Sequence, residues 1–254
     1  AAINDQKVNI LLEGGIVLPR NPIIDDDGIQ TFSDAGKRIN KNIFKFFKIL
    51  KNMKDFNGCY HKCKDFMKIF ILSNNYTEIG NVFMIPDTAL NQIGRPAFLP
   101  DYALPAVGRA HLVIRINRLG KGIPERFAPR YFSEITIGVH FIASQLLEEL
   151  REKRAPWEFA VGFDGAASIG RFVPMGTYCN HHIEILAGEK KLCAYDTKEM
   201  LVKPEEIVSK LSQNYRLCQG DLIFLGSPMT FCTNIDTRLT LSLDGASLSS
   251  FMIK

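Results

Sequence analysis

A chain of 254 residues can bury a sizeable core, and its 46% hydrophobic against 23% charged residues exclude a disordered or fibrous protein. No apolar run reaches the roughly 18 residues that a bilayer-spanning helix needs, and Ala1 to Lys7 lack the charged and apolar regions of a secretory signal. The net charge of +4 is unevenly spread: Lys37 to Lys68 holds ten Lys or Arg against two Asp, so the remainder of the chain is net negative.

The six cysteines, Cys59, Cys63, Cys179, Cys193, Cys218 and Cys232, are scattered through a mid-sized chain. That spacing argues against a disulfide-stapled secreted module and for reduced thiols, so the cytoplasm or another reducing compartment is expected.

Along the chain, Val8-Asn9-Ile10-Leu11-Leu12 predicts a short strand ended by Gly14-Gly15, and Asp25 to Gly28 a turn. Ser33 or Asp34 caps a predicted helix running to about Met53. Ile39, Ile43, Phe46, Phe47 and Leu50 recur there at helical spacing, with Lys41, Lys45, Lys48 and Lys51 largely off that stripe. A basic amphipathic helix can lie on an anionic membrane or follow a phosphate backbone. Amphipathicity is nevertheless ordinary in surface helices, so the preferred reading packs the stripe on the main domain, and nucleic acid or membrane binding through Lys41–Lys51 is not expected. Cys59-Tyr60-His61-Lys62-Cys63 gathers soft metal ligands, but a structural zinc site needs four and no second cluster lies nearby.

From Met67 the texture changes to short β-rich runs: Lys68 to Leu72, Val82 to Ile85, Ala110 to Ile116 and His182 to Ile185. Two helices are predicted among them. One runs from about Tyr131 to Lys153, with an apolar face of Ile142, Leu146, Leu147 and Leu150. The other runs from about Pro204 to Asn214 and opens on Pro204-Glu205-Glu206, a favourable first turn. His181 and His182 are adjacent on a strand, face opposite ways and cannot easily share a metal, so one surface and one core residue are expected. An α+β domain, mainly β, follows.

Several stretches of residues 67–254 occur in an order that resembles the fumarylacetoacetate hydrolase family, in particular its small bacterial members. They are Met67 to Phe70 leading to Asn75-Tyr76, Pro86 to Leu90, Arg115 to Lys121, Phe163-Asp164-Gly165, Gly220 to Phe224 and Leu243-Asp244-Gly245. The resemblance implies a mixed β-roll with a few peripheral helices over residues 67–254, preceded by a basic extension over residues 1–66. It also implies pairing into homodimers or a place in a larger assembly. For chemistry it implies a divalent magnesium or manganese ion that helps to cleave or decarboxylate small diketo and keto acids. Its metal would be held by a Glu-x-Glu pair on one strand and a later Asp, since residues i and i+2 of a strand share a face and hard cations favour anionic oxygen.

Those three positions fall on Arg109, His111 and His140. The family lysine that supports the keto acid falls on Val161, and the segment that would carry the catalytic His and Glu shrinks to Thr77 to Asn81. After Gly226-Ser227-Pro228, Met229 to Cys232 replace the expected small residues, and Ser227 sits in no Gly-x-Ser-x-Gly elbow. Three carboxylates lost and an arginine gained shift the formal site charge by about four units toward positive, which repels a divalent cation and attracts carboxylate or phosphate.

The favoured reading is therefore a catalytically degenerate member serving as a binding or structural subunit, with no cofactor expected and with Arg109, His111, His140, Asp164 and Ser227 as the candidates to bind a small carboxylate. The alternative is a working hydrolase or decarboxylase with a relocated site, His111, His140 and Asp164 holding a softer metal such as zinc or iron. A third reading fills the cavity: Arg109 pairs with an acid and both histidines are satisfied by hydrogen bonds.

Overall fold

A strand covered on both faces reads as an unbroken apolar run, because the side chains that alternate between its faces are all buried. Ile69-Phe70-Ile71-Leu72 and Leu222-Ile223-Phe224 are such runs, and they pair in parallel inside a sheet with every residue buried. A computed structural model describes residues 67–176 and 180–254, together with the backbone of two short antiparallel strands, β1 (Lys7–Val8) and β2 (Leu18–Pro19). The chain divides into two compact units, Ala1–Asp65 and Phe66–Lys254. The basic helix predicted up to Met53, the Cys59 to Cys63 cluster and Cys179 lie outside the described residues.

The strands of the second unit are β3 (Ile69–Leu72), β4 (Val82–Ile85), β5 (Leu90–Asn91), β6 (Ala106–Ile116), β7 (Phe132–Ala143), β8 (Ala167–Ile169), β9 (Val173–Pro174), β10 (His182–Ala187), β11 (Lys190–Asp196), β12 (Leu222–Phe224), β13 (Phe231–Cys232), β14 (Arg238–Leu243) and β15 (Ala246–Met252). Its helices are α1 (Ser144–Glu152), α2 (Glu158–Val161) and α3 (Pro204–Asn214). The larger sheet runs β4-β3-β12-β6-β7-β8-β5, with β13 added to β6 and β9 to β7; the smaller is antiparallel, in the order β11-β10-β14-β15. Parallel pairs (β3 with β12, β5 with β8) among antiparallel ones make the larger sheet mixed. The sheets meet where Phe141 packs edge-on against Phe251, with ring centres 6.5 Å apart, and where the Tyr195 hydroxyl donates to the Ala110 carbonyl at 2.7 Å. This is the mixed β-roll with few helices, curved into a half-barrel.

The predicted helix from Tyr131 to Lys153 is a correction. Residues 132 to 143 form β7, paired along its length with β6, and only Ser144–Glu152 is helical. Ile135, Thr136, Ile137, Val139 and Phe141 are β-branched or aromatic and buried on both faces of the sheet. That burial supplies a continuous apolar run, which helical spacing can mimic, while β-branched side chains lose rotamer freedom in a helix. The Pro204–Asn214 helix stands as predicted, with Ile207, Val208 and Leu211 on its buried face.

Asp221 explains one of the motifs. Fully buried, it accepts hydrogen bonds from the backbone N–H of Lys68 at 2.9 Å and of Cys218 at 2.7 Å, and its second oxygen lies 2.8 Å from Lys68 Nζ. It thereby ties the entry of β3 to the entry of β12. Cys193, Cys218 and Cys232 are free thiols. Among the described residues no helix is long and apolar enough to cross a membrane.

Candidate functional site

In the antiparallel ladder of β6 and β7, Arg109 stands directly opposite His140, and His111 directly opposite Gly138. Residues two apart on a strand share a face, so Arg109, His111 and His140 come to one face of the larger sheet. Ala110, Val139 and Phe141 fall on the other face, toward the smaller sheet. The cross-strand register thus gathers the three side chains that the family resemblance placed at the carboxylate positions.

Aromatic groups cover this face. His111 meets the edge of Phe224 with ring centres 5.5 Å apart, His140 lies 5.6 Å from Phe83, and Phe83 packs edge-on against Trp157 at 5.3 Å. Gly138 leaves room for them, since a Cβ there would fall 2.7 Å from the Phe224 ring. Both histidines are fully buried. His140 Nε2 lies 2.7 Å from the Val161 carbonyl, which assigns its proton to Nε2 and leaves Nδ1 as a lone pair without a partner. Val161, where the resemblance placed the family lysine, therefore touches the site through its backbone. Among the described residues neither ring nitrogen of His111 has a hydrogen bond of good geometry, although the Gly226 backbone lies near enough to favour its charged form.

Arg109 Nη1 donates to the Ser73 carbonyl at 2.6 Å, while its buried Nε has no acceptor among the described residues. Among the described residues no carboxylate pairs with it. Burial, reinforced by the nearby Arg151, pushes this guanidinium below its usual range. Burial also holds His111 well below its ordinary value, with His140 and Arg109 adding to the effect. His140 is lowered to about 4 by burial, the Val161 carbonyl opposing and Arg109 contributing. Near neutrality the face thus presents one guanidinium and two uncharged imidazoles.

A divalent magnesium or manganese ion does not fit this set. Hard cations require anionic oxygens, and the three converging side chains offer a cation and two imidazoles. The relocated ligand set is not assembled either: Asp164 is exposed, whereas the histidines it would join have no accessible surface. Among the described residues no group of three or more His, Cys, Asp or Glu is arranged to hold a metal. The filled cavity agrees in its packing but differs in its bonding: Arg109 uses a backbone carbonyl in place of an acid, and of the two imidazoles His140 is hydrogen-bonded through Nε2. Ser227 is buried and donates to the Met229 carbonyl at 2.9 Å, a turn contact rather than an exposed nucleophile. His181 is nearly buried and lies 2.6 Å from Asp244, while His182 is exposed and lies 3.0 Å from Asp196: one core and one surface residue, as expected, each beside its own carboxylate.

Two loops frame the face. Thr77 to Asn81 close a tight connection from β3 to β4: Asn74 Nδ2 donates to Thr77 Oγ1, the Gly80 N–H to the Asn74 carbonyl and the Ser73 N–H to the Asn81 carbonyl. Buried Asn75 then clamps Val202, donating from Nδ2 to its carbonyl at 2.8 Å and accepting from its N–H at 2.9 Å. Gly226, at φ +98°, lies so close that a Cβ on it would fall 2.6 Å from that of Asn75. Asn75→Ala strands both Val202 groups and is expected to lower stability by roughly 2 kcal/mol, measured by urea unfolding. Tyr76 and Tyr195 meet edge to face at 5.2 Å beside this clamp, and burial raises both phenols above their ordinary range. Local sequence gives no signal for that pair, because Tyr195 arrives from the smaller sheet.

Comparison with known proteins agrees with this architecture. Residues 57–248 match the family profile described as fumarylacetoacetate (FAA) hydrolase C-terminal. An uncharacterized protein of Pyrococcus abyssi is 29% identical over 176 residues, covering 63% of this chain and 78% of its own length. A mitochondrial oxaloacetate tautomerase of Mus musculus is 28% identical over 151 residues, 58% of this chain and 68% of its own. The crystal structure of fumarylpyruvate hydrolase from Pseudomonas aeruginosa, in complex with Mn2+ and pyruvate, superposes with a TM-score of 0.67 at 21% identity, covering 73% of this chain and 88% of that one. The family match spans most of the chain, the half-barrel repeats the fold, and the chain belongs to the fumarylacetoacetate hydrolase family.

Proposed function

We propose that this chain has lost the family's metal-dependent chemistry and acts as a binding or structural subunit, as a homodimer or within a larger assembly in a reducing compartment. The observation that carries the reading is the chemical identity of the three side chains converging at the paired register of β6 and β7. A guanidinium and two buried imidazoles replace the oxygens that a hard cation requires. Further support comes from Val161, which stands where the resemblance places the family lysine, and from the tight Thr77 to Asn81 connection, which holds Glu78 but no histidine.

The relatives supply the assay. One is an oxaloacetate tautomerase and a structural neighbour is a fumarylpyruvate hydrolase. The full chain, incubated with manganese or magnesium, is expected to convert neither oxaloacetate nor an acylpyruvate faster than buffer containing the same metal. Metal-dependent turnover that survives purification to homogeneity would contradict the proposal.

A further inference from the structure

A cluster of surface cations without neighbouring acids sets up a positive field that attracts polyanions. Residues 67–254 hold twenty Lys or Arg against nineteen Asp or Glu, so this part of the chain is close to neutral. Its charge is not evenly placed. The connection from β6 to β7 carries Arg118, Lys121, Arg126 and Arg130 against Glu125 alone, and all of these are exposed. An antiparallel bridge between Gly120 and Leu217 adds exposed Arg216, which comes opposite Lys121. Among the described residues none of the five cations has a carboxylate partner.

The connection is fastened to the domain. Gly120 and Leu217 exchange both backbone hydrogen bonds, at 2.9 and 2.8 Å, and Lys121 Nζ donates to the Asn214 carbonyl at 2.9 Å. The Ile123 N–H donates to Ser212 Oγ at 2.7 Å and its carbonyl accepts from Ser209 Oγ at 2.8 Å, which ties the connection to α3. Three of the arginines lie over aromatic rings: Arg126 and Arg130 at 4.8 and 5.1 Å from the centre of Phe127, and Arg118 at 5.8 Å from that of Tyr131. A ring face attracts a guanidinium without neutralising it, so these cations are positioned and keep their charge. Apolar surface protrudes beside them, Leu119 at 64% exposure and Phe127 at 37%.

We propose that this connection docks on an anionic phospholipid surface, with Arg118, Lys121, Arg126, Arg130 and Arg216 against the headgroups and Leu119 entering the apolar margin of the bilayer. A nucleic acid offers the same phosphates but gains its stacking from open ring faces, and here guanidiniums already lie over Phe127 and Tyr131. A leucine exposed between Arg118 and Lys121 is relieved by lipid and not by a polynucleotide. The surface begins at the end of β6, roughly 25 Å along the strand from Arg109 at about 3.3 Å per residue, and is independent of the site described above.

Co-sedimentation of the full chain with vesicles tests the proposal. Retention is expected on phosphatidylcholine vesicles holding about one third phosphatidylserine, and is expected to vanish on pure phosphatidylcholine and at about 1 M salt, where the screening length falls to about 3 Å. Each cation near such a surface contributes about fivefold in affinity, so Arg126→Gln combined with Arg130→Gln is expected to weaken retention roughly twentyfold. Leu119→Ser keeps the charge and is expected to weaken it several-fold. Neutralising two exposed lysines elsewhere, Lys190→Gln with Lys198→Gln, is expected to leave it nearly unchanged. All the altered side chains are exposed, and circular dichroism checks that each variant is folded. No retention of the unaltered chain would overturn the proposal, as would full retention of the double arginine variant, which would pass the binding to another basic stretch such as Lys41 to Lys51. Equal losses in the arginine and lysine pairs would reduce the effect to net charge and overturn the surface. Unchanged retention of Leu119→Ser, or tighter binding to single-stranded or duplex DNA than to the anionic vesicles, would overturn the assignment to lipid.

Discussion

Arg109→Glu, His111→Glu and His140→Asp, combined in one variant, are expected to create manganese binding. The family carboxylates are implied at these positions, and the ladder places 109 opposite 140 with 111 two residues along, so the three new side chains would project from one face. Without metal, two buried carboxylates and a half-buried one repel one another and are poorly solvated, a penalty of several kcal/mol. A hard cation relieves it by supplying the missing positive charge. At a hundredfold excess of metal over Kd the gain is about 2.7 kcal/mol, a rise in melting temperature of roughly 5 to 10 °C for a domain of this size. Thermal melts with manganese and with chelator check this, and the natural chain is expected to melt identically in both. A variant that folds only with manganese is the same result in stronger form. Identical melts for the triple variant would mean that the three positions do not converge as the register requires.

Stability is expected to fall on mild acidification, and to do so mainly through two residues. His140 is held at about 4 in the folded protein against 6.5 for the free side chain. Above about pH 6.5 neither folded nor unfolded chain carries the proton. Between that value and about pH 4 the unfolded chain binds it and the native chain does not, so stability rises with pH across the window and is lost as pH falls through it. The His140 contribution is about 3 kcal/mol, and His111, lowered for the same reason, acts in the same direction. Urea unfolding at about pH 7 and about pH 5 measures the difference. His140→Gln keeps an N–H for the Val161 carbonyl but cannot titrate, and is expected to lessen the acid loss markedly. An unchanged pH dependence in that variant would show that His140 is not the buried neutral group described here.

Legibility in the sequence followed physical range. Arg109 and His111 could be placed on one strand face because positions i and i+2 share a face, whereas His140 was grouped with them by the family resemblance alone, its strand having been read as a helix. Asp164 failed because a motif in a loop says nothing about which way its side chain points, and here it points to solvent. The strand Phe132–Ala143 was hidden because full burial on both faces erases the alternation that distinguishes strand from helix. Nothing local connects Arg109 with the Ser73 carbonyl, or Tyr76 with Tyr195, since each contact joins distant segments brought close by sheet packing. The acid expected beside Arg109 was a reasonable default for a half-buried cation, and a backbone carbonyl takes its place.

Free hydrated manganese gives a strong electron paramagnetic resonance signal at room temperature that broadens away when the ion is bound by protein. Adding the purified, metal-stripped chain in excess to a manganese solution, with and without oxalate, measures binding directly. The signal is expected to stay at the level of a protein-free sample in the first case and of an oxalate-only sample in the second. Loss of signal on adding the protein would contradict the account, because it would place a metal site in a chain whose converging side chains are an arginine and two buried histidines.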